Sequence, residues 1–142
     1  MHPEELTRFL LTYEAGLRTG DEIRVRAPFK RERNGALGFA CGIPVGTEIC
    51  VTESSPDAQV ASALEAARLA KAALNGTQVS GALVFDCICR ALILGNRFDE
   101  AVKGISDELG QVPIAGFETY GEIGGKGFHN TSTVVLAFGA TP

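Results

Sequence analysis

The stretch Gly81-Ala82-Leu83-Val84-Phe85-Asp86-Cys87-Ile88-Cys89 limits what this chain can fold into more than any other. Only Asp86 interrupts its apolar character. The run lacks the alternation of a half-exposed strand and reads as a central strand covered on both faces. Downstream, Phe98, Ala101, Val102, Ile105 and Leu109 recur at helical spacing, and Gly110 closes that helix. Pro113 to Phe117 is a second short apolar segment. Strand, helix and strand within about forty residues is a βαβ unit with parallel strands.

In open α/β sheets, ligands bind beyond the carboxyl ends of parallel strands. Here the first strand ends in Asp86-Cys87-Ile88-Cys89-Arg90 and the second in Glu118-Thr119-Tyr120-Gly121-Glu122. A glycine-dense turn follows, with Gly121, Gly124, Gly125 and Gly127 among Glu122, Lys126, His129 and Asn130. The chain then leaves through an apolar segment, Thr131 to Phe138, as the last strand. The two polar clusters, with His129 and Asn130, are expected to meet at one sheet edge.

Each of these residues has a structural and a functional reading. Cys87 and Cys89, two apart on a strand, share a face. They are either small buried hydrophobes or, with a lowered pKa, reactive thiols. Asp86 in a buried strand needs a partner, and Arg90 is the nearest. Arg90 is either that ion-pair partner or a fork for a ligand carboxylate. His129 either fixes the loop through a backbone bond or faces the ligand. Gly121-Glu122-Ile123-Gly124 matches no phosphate-binding pattern.

The first half reads as a helix, a meander and a long helix. Pro3 to Ala15 places proline at a helix start with Glu4 and Glu5 behind it, and Leu6, Phe9, Leu10, Tyr13 and Leu17 form one stripe. Glu22 to Ala27 alternates as a strand, Asn34-Gly35 signals a hairpin into Ala36 to Cys41, and Glu48 to Thr52 alternates again. These three segments predict a three-stranded antiparallel meander. Ser55 caps, and Pro56 opens, a helix that runs to Asn75 with Gly76 at its end. Its narrow polar stripe (Gln59, Ser62, Glu65, Arg68, Lys71) predicts a mostly buried core helix without function.

A chain of 142 residues suggests one domain, and its 45% hydrophobic and 21% charged residues suit a globular one. The fold class expected is α+β or mixed α/β: an antiparallel meander plus a βαβ unit, one mixed sheet with packed helices. A net charge of −4 and no basic run longer than Lys30-Arg31-Glu32-Arg33 argue against nucleic acid as a partner. No apolar run is long enough for a membrane span. The start Met1-His2-Pro3-Glu4 is no signal peptide, so a cytoplasmic location is expected. Cys41, Cys50, Cys87 and Cys89 lack zinc spacing and read as reduced thiols, and neither a metal nor another cofactor is expected.

Three signatures together resemble the C-terminal domain of the FIST family of signal-transduction sensor proteins. They are Ala82 to Arg90, Val112 to Ile123, and His129-Asn130-Thr131 ahead of an apolar strand. Upstream, Arg26-Ala27-Pro28 and Ile43-Pro44-Val45-Gly46-Thr47 fit the family's looser first half. The resemblance implies a cytoplasmic sensory input module for small ligands, amino acids or their derivatives being suggested, and no established enzyme activity. It implies a FIST N-terminal domain or a signalling output domain as partner. Its motif residues fall here on Cys87, Arg90, Gly116, Phe117, Gly121, Glu122, His129 and Asn130. Asp86 departs from the small polar residue expected before the first motif cysteine.

On this reading the ligand site comprises Asp86, Cys87, Arg90, Tyr120, Gly121, Glu122, His129 and Asn130. Arg90 would hold a ligand carboxylate, and Glu122, with Asp86, an ammonium or hydroxyl group. Two other classes compete. One is an acyl- or amide-transfer enzyme with Cys87 as nucleophile, His129 as base and Glu122 as its orienter. The other is an interaction module, or a homodimer, that docks through the meander face or a sheet edge.

Overall fold

The computed structural model describes residues 3–124 and 127–140. Met1, His2, Gly125 and Lys126, which carry part of the expected chain start and glycine turn, lie outside the described residues.

The apolar run forms β6 (Val79–Cys87), central in a mixed sheet. It pairs in parallel with β7 (Ile114–Thr119), placing Val84 beside Gly116 and Asp86 beside Glu118. On its other side it pairs antiparallel with β10 (Thr133–Gly139). Between β6 and β7 run α3 (Ile88–Leu94), a 3₁₀ turn at Gly95–Arg97 and α4 (Phe98–Leu109). The expected βαβ unit is therefore present. Gly110, at φ +89°, ends α4 in the left-handed conformation that glycine adopts without strain.

One face of this sheet is the core. Ala82, Val84, Ile114, Val135 and Ala137 pack against Ala63 and Ala67 of α2 (Pro56–Ala72) and Ala101, Ile105 and Leu109 of α4. Alanines set the helix close to the strands. Gly104 does the same between helices: a Cβ there would run into Leu64. The opposite face is open, with Phe117 66%, Leu136 49% and Phe138 45% exposed. The covering of β6 on both faces is thus incomplete.

The N-terminal half departs from expectation. α1 spans Pro3–Thr12, and the chain continues directly into β1 (Tyr13–Thr19). β1 is the centre of a separate antiparallel sheet, between β2 (Glu22–Arg26) and β5 (Ile49–Glu53). The meander is corrected accordingly: its middle strand begins inside the segment read as helix, Pro3 to Ala15, and the strand expected there, Ala36 to Cys41, pairs elsewhere. The Asn34-Gly35 hairpin exists, but joins β3 (Pro28–Arg31) to β4 (Leu37–Phe39) as a two-stranded ribbon. Gly35 sits at φ +89°, and the Asn34 side chain accepts from the Ala36 N–H. Gly16 of β1 is closed over by Ile23, Cys50 and Thr52, leaving no room for a Cβ.

α2 starts as read, with the Ser55 hydroxyl accepting from the Ala58 N–H at 3.2 Å and Pro56 in the first turn. Its burial does not follow the reading. Only Gln59, Ala63 and Ala67 are buried along it, and Leu69 is 55% exposed. Gln59, read as part of a solvent stripe, points inward.

Candidate functional site

Strand β6 stops at Cys87 because Ile88 to Leu94 coil into α3, and this turn positions the first polar cluster. Arg90 is one helical turn after Asp86, and its Nε donates to Asp86 Oδ1 at 2.6 Å. The same guanidinium donates to Gln59 Oε1, to Ser62 Oγ at 2.8 Å and to the Gln59 carbonyl at 3.1 Å. Arg90 has no exposed surface. The ion pair with Asp86 is thus present, with the Arg90 donors turned to α2 and β6. Burial pushes the Asp86 carboxyl up, and Arg90 pulls it back only in part. Gln59 in turn donates to Ser54 Oγ at 2.5 Å.

A second cluster sits on the other side of the sheet end. β7 ends at Thr119, and Gly121 turns the chain into the hairpin β8 (Glu122–Gly124) and β9 (Gly127–His129). Gly121 is obligatory: at φ +140° a side chain is disfavoured, and its Cβ would overlap the Phe128 ring. The turn buries Glu122 to 3% exposure. Its carboxylate accepts from the hydroxyls of Thr119 and Ser132. Burial raises the Glu122 pKa, with Asp86 adding to the rise and the two hydroxyls opposing it.

A third carboxylate, which the sequence did not single out, joins from the N-terminal half. Glu14 of β1 is 3% exposed, and its Oε1 accepts from Thr131 Oγ1 at 2.5 Å. Burial pushes Glu14 up to about 7, against that hydroxyl. Thr131 sits at φ +54°. A β-branched residue in this conformation is an outlier costing about 1–3 kcal/mol, of the kind that concentrates at functional sites. Among the described residues, neither Glu14 nor Glu122 forms an ion pair with a cation.

Cys87 and Cys89 lie between these acids. They are not two positions on one strand face, since Cys89 is already in α3. Their thiols nevertheless share a hydrogen bond. The Cys89 S–H and the backbone N–H groups of Cys89 and Thr131 lower the Cys87 pKa, while burial and Glu122 oppose. The same bond and burial raise Cys89. Cys87 has no exposed surface.

The remaining expected residues divide. Asn130 is 2% exposed and clamps the two halves: its Oδ1 accepts from the Ala27 N–H and its Nδ2 donates to the Tyr120 carbonyl, both at 3.3 Å. His129 pairs with Glu122 across the hairpin ribbon. Burial, then Arg24 and Arg26, lower its pKa and favour the neutral imidazole. Arg26 secures β9 by donating to the Phe128 carbonyl at 2.9 Å, with its guanidinium 5.6 Å above the Phe128 ring. Tyr120 is 87% exposed, so its side chain stands outside the cluster. A cavity of about 250 Å³ between β7 and α4 reaches Asp86, walled by Val84, Phe98, Gly116 and Phe117. A larger one, about 670 Å³, lies elsewhere, between α1 and the end of α3 around Leu11, Arg8 and Leu92.

Sequence reasoning placed Asp86, Cys87, Glu122 and Asn130 at this sheet end, named Thr119 and Thr131 only within their motifs and gave them no role, and missed Glu14, Gln59 and Ser132. Hydroxyls and a lone glutamate in a strand carry no local signal. Their role arises only when the two halves of the chain meet.

Searches of curated proteins and of solved structures return no match to this chain. The FIST C domain family model matches residues 1–125, which takes in the first two of the three signatures and the whole N-terminal half. With that coverage, and with α3 and the Gly121 turn converging at the end of a mixed sheet, the chain belongs to the FIST C domain family of signal-transduction sensory domains.

Proposed function

We propose that this domain is a cytoplasmic input module that binds a small ligand bearing an ammonium group, an amino acid or a related metabolite being the class that fits. One observation carries the reading. Glu14 and Glu122 are buried carboxyls whose partners among the described residues are neutral: hydroxyls and, for Glu122, also the Ser132 backbone N–H. An isolated buried carboxylate is costly, and its pKa rises until a positive charge comes near. A ligand ammonium would supply that charge and draw both groups into the ionised form.

In this reading Glu122 contacts the ammonium, and the buried Cys87 lies beneath the site. Asp86 and Arg90 act as positioning residues that hold the start of α3. Gly121 and Asn130 fix the turn, neutral His129 offers a ring nitrogen to a polar ligand group, and Tyr120 forms the lip. A FIST N-terminal domain or a signalling output domain is the fitting partner for relaying occupancy.

A thermal-shift screen against amino acids and simple amines tests this. Ligand at about 100 times its Kd stabilises the fold by roughly 2.7 kcal/mol. The expected result is a selective shift that is lost in Glu122→Gln. Unchanged affinity in both Glu122→Gln and Glu14→Gln would sink the assignment.

Cysteine chemistry at Cys87 is the second reading, favoured by its lowered pKa. Rapid iodoacetamide alkylation of Cys87 near neutral pH would support it. Protection until the protein unfolds, expected of a side chain without exposed surface, would dismiss it.

A further inference from the structure

Two buried side-chain polar atoms have no hydrogen-bond partner among the described residues: Arg24 Nε and Arg26 Nε. Both belong to β2, two positions apart, so the two side chains leave the same face of the strand. Buried polar atoms are nearly always satisfied, and one that is not calls for an explanation.

Charge is uncompensated at the same place. Arg26 is 7% exposed. Its guanidinium donates to the Val25 and Phe128 carbonyls and stands over the Phe128 ring, all of them neutral partners. Among the described residues no carboxylate pairs with it. Arg24 reaches Glu22 only at 3.9 Å. A buried cation without an anion is costly. The chain avoids that cost at Arg90, which holds Asp86 at 2.6 Å.

The β8–β9 hairpin brings further parts to this seam. The Asn130 N–H donates to the Val25 carbonyl at 3.3 Å, which sets the end of β9 beside β2. Gly127 has no side chain, and a Cβ there would stand 3.3 Å from Arg24 Nη1, so this guanidinium lies along bare backbone. His129 is half-buried at the same seam. Burial first, then Arg24 and Arg26, lower its pKa, and Glu22 opposes them.

We propose that the seam between β2 and β9 binds a small-molecule oxyanion, a phosphate or carboxylate group, through Arg24, His129 and the charge of Arg26. A guanidinium fork matches the oxygens of either group. Arg24, with 28% of its side chain exposed, makes the contact. Arg26 behind it supplies a second positive charge, and the neutral imidazole donates its ring N–H. The site uses neither Glu14 nor Glu122, so it stands or falls separately from the ammonium reading.

Proton NMR of the His129 ring in the intact chain tests the proposal. Inorganic phosphate and acetate are the probes, and sodium chloride at equal ionic strength is the reference. The ring is identified by the signal lost in His129→Gln. The expected result is a saturable shift with Kd of about 1 mM or tighter. The bound anion should also move the His129 titration to higher pH, because it offsets the two arginines. Saturation by phosphate, by acetate or by both supports the site and ranks the two groups. Arg24→Gln should weaken binding roughly ten-fold or more, as loss of a charged hydrogen-bond donor does. Arg26→Gln removes the second charge and reads the same site should the first variant fail to fold. A His129 signal that neither anion moves beyond chloride overturns the proposal, as does a shift that both arginine variants retain unchanged.

Discussion

Replacing Glu14 by glutamine tests the electrostatics of the site without any ligand. Glu14 is in the middle of the β2-β1-β5 sheet, 3% exposed, with the Thr131 hydroxyl as its hydrogen-bond partner at 2.5 Å. Burial raises its pKa from 4.5 to about 7. A folded-state pKa above the unfolded value means that the native chain binds the proton more tightly. Stability from this group is therefore fully present below about pH 4.5 and is lost as pH rises to about 7. At about 1.4 kcal/mol per pKa unit, the loss reaches about 3 kcal/mol above that window. Glutamine keeps an acceptor for Thr131 and cannot ionise, but its amide N–H groups must also find partners. The net gain expected above neutral pH is thus about 2 kcal/mol, or roughly 6–8 °C in Tm for a domain of this size. Near pH 5 the gain should vanish or reverse. Urea unfolding of parent and variant across this range measures the difference directly. A difference that stays constant from pH 5 to pH 8 would refute the assignment of a buried, proton-holding Glu14.

The other predictions concern the same end of the fold. Arg90→Ala leaves the Asp86 carboxylate and the Gln59 side chain buried without their partner, and should destabilise by about 3–5 kcal/mol in chemical denaturation. A loss below 1 kcal/mol would show that water reaches this network. Gly121→Ala forces a Cβ into the Phe128 ring at a positive φ, and should lower stability by about 1–3 kcal/mol and weaken any ligand shift. If ligand ammonium binds ionised Glu122, isothermal titration should find affinity rising with pH and protons released on binding, because burial holds that carboxyl above its usual range. Affinity independent of pH would exclude Glu122 as the contact.

Much of the architecture was legible locally. Ser55-Pro56, Asn34-Gly35 and Gly110 mark their turns and caps through backbone preferences that act over a few residues. The apolar run and the helical stripe from Phe98 to Leu109 specify β6 and α4 by burial demand alone. Two elements were not legible. Tyr13, Ala15 and Leu17 satisfy a strand period as well as Tyr13 and Leu17 satisfy a helical one. What makes that segment β1 is hydrogen bonding to Arg26 and Val51, remote in the chain. Ile88 to Leu94 is apolar enough for strand or helix. Coiling it brings Arg90 onto Asp86 and Gln59, which an extended chain would not do.

The sequence by itself determined the class of fold, the parallel pair β6–β7 and the arrival of Asp86, Cys87 and Glu122 at one sheet end. Periodicity and glycine placement are properties of neighbouring residues, so they survive without tertiary information. Only the tertiary structure decided what those residues do. It turned Arg90 inward, set Glu14 beside Thr131 across 117 positions of chain, and left one face of the mixed sheet without a cover. Charge compensation and burial depend on which distant segments meet. No local pattern encodes them.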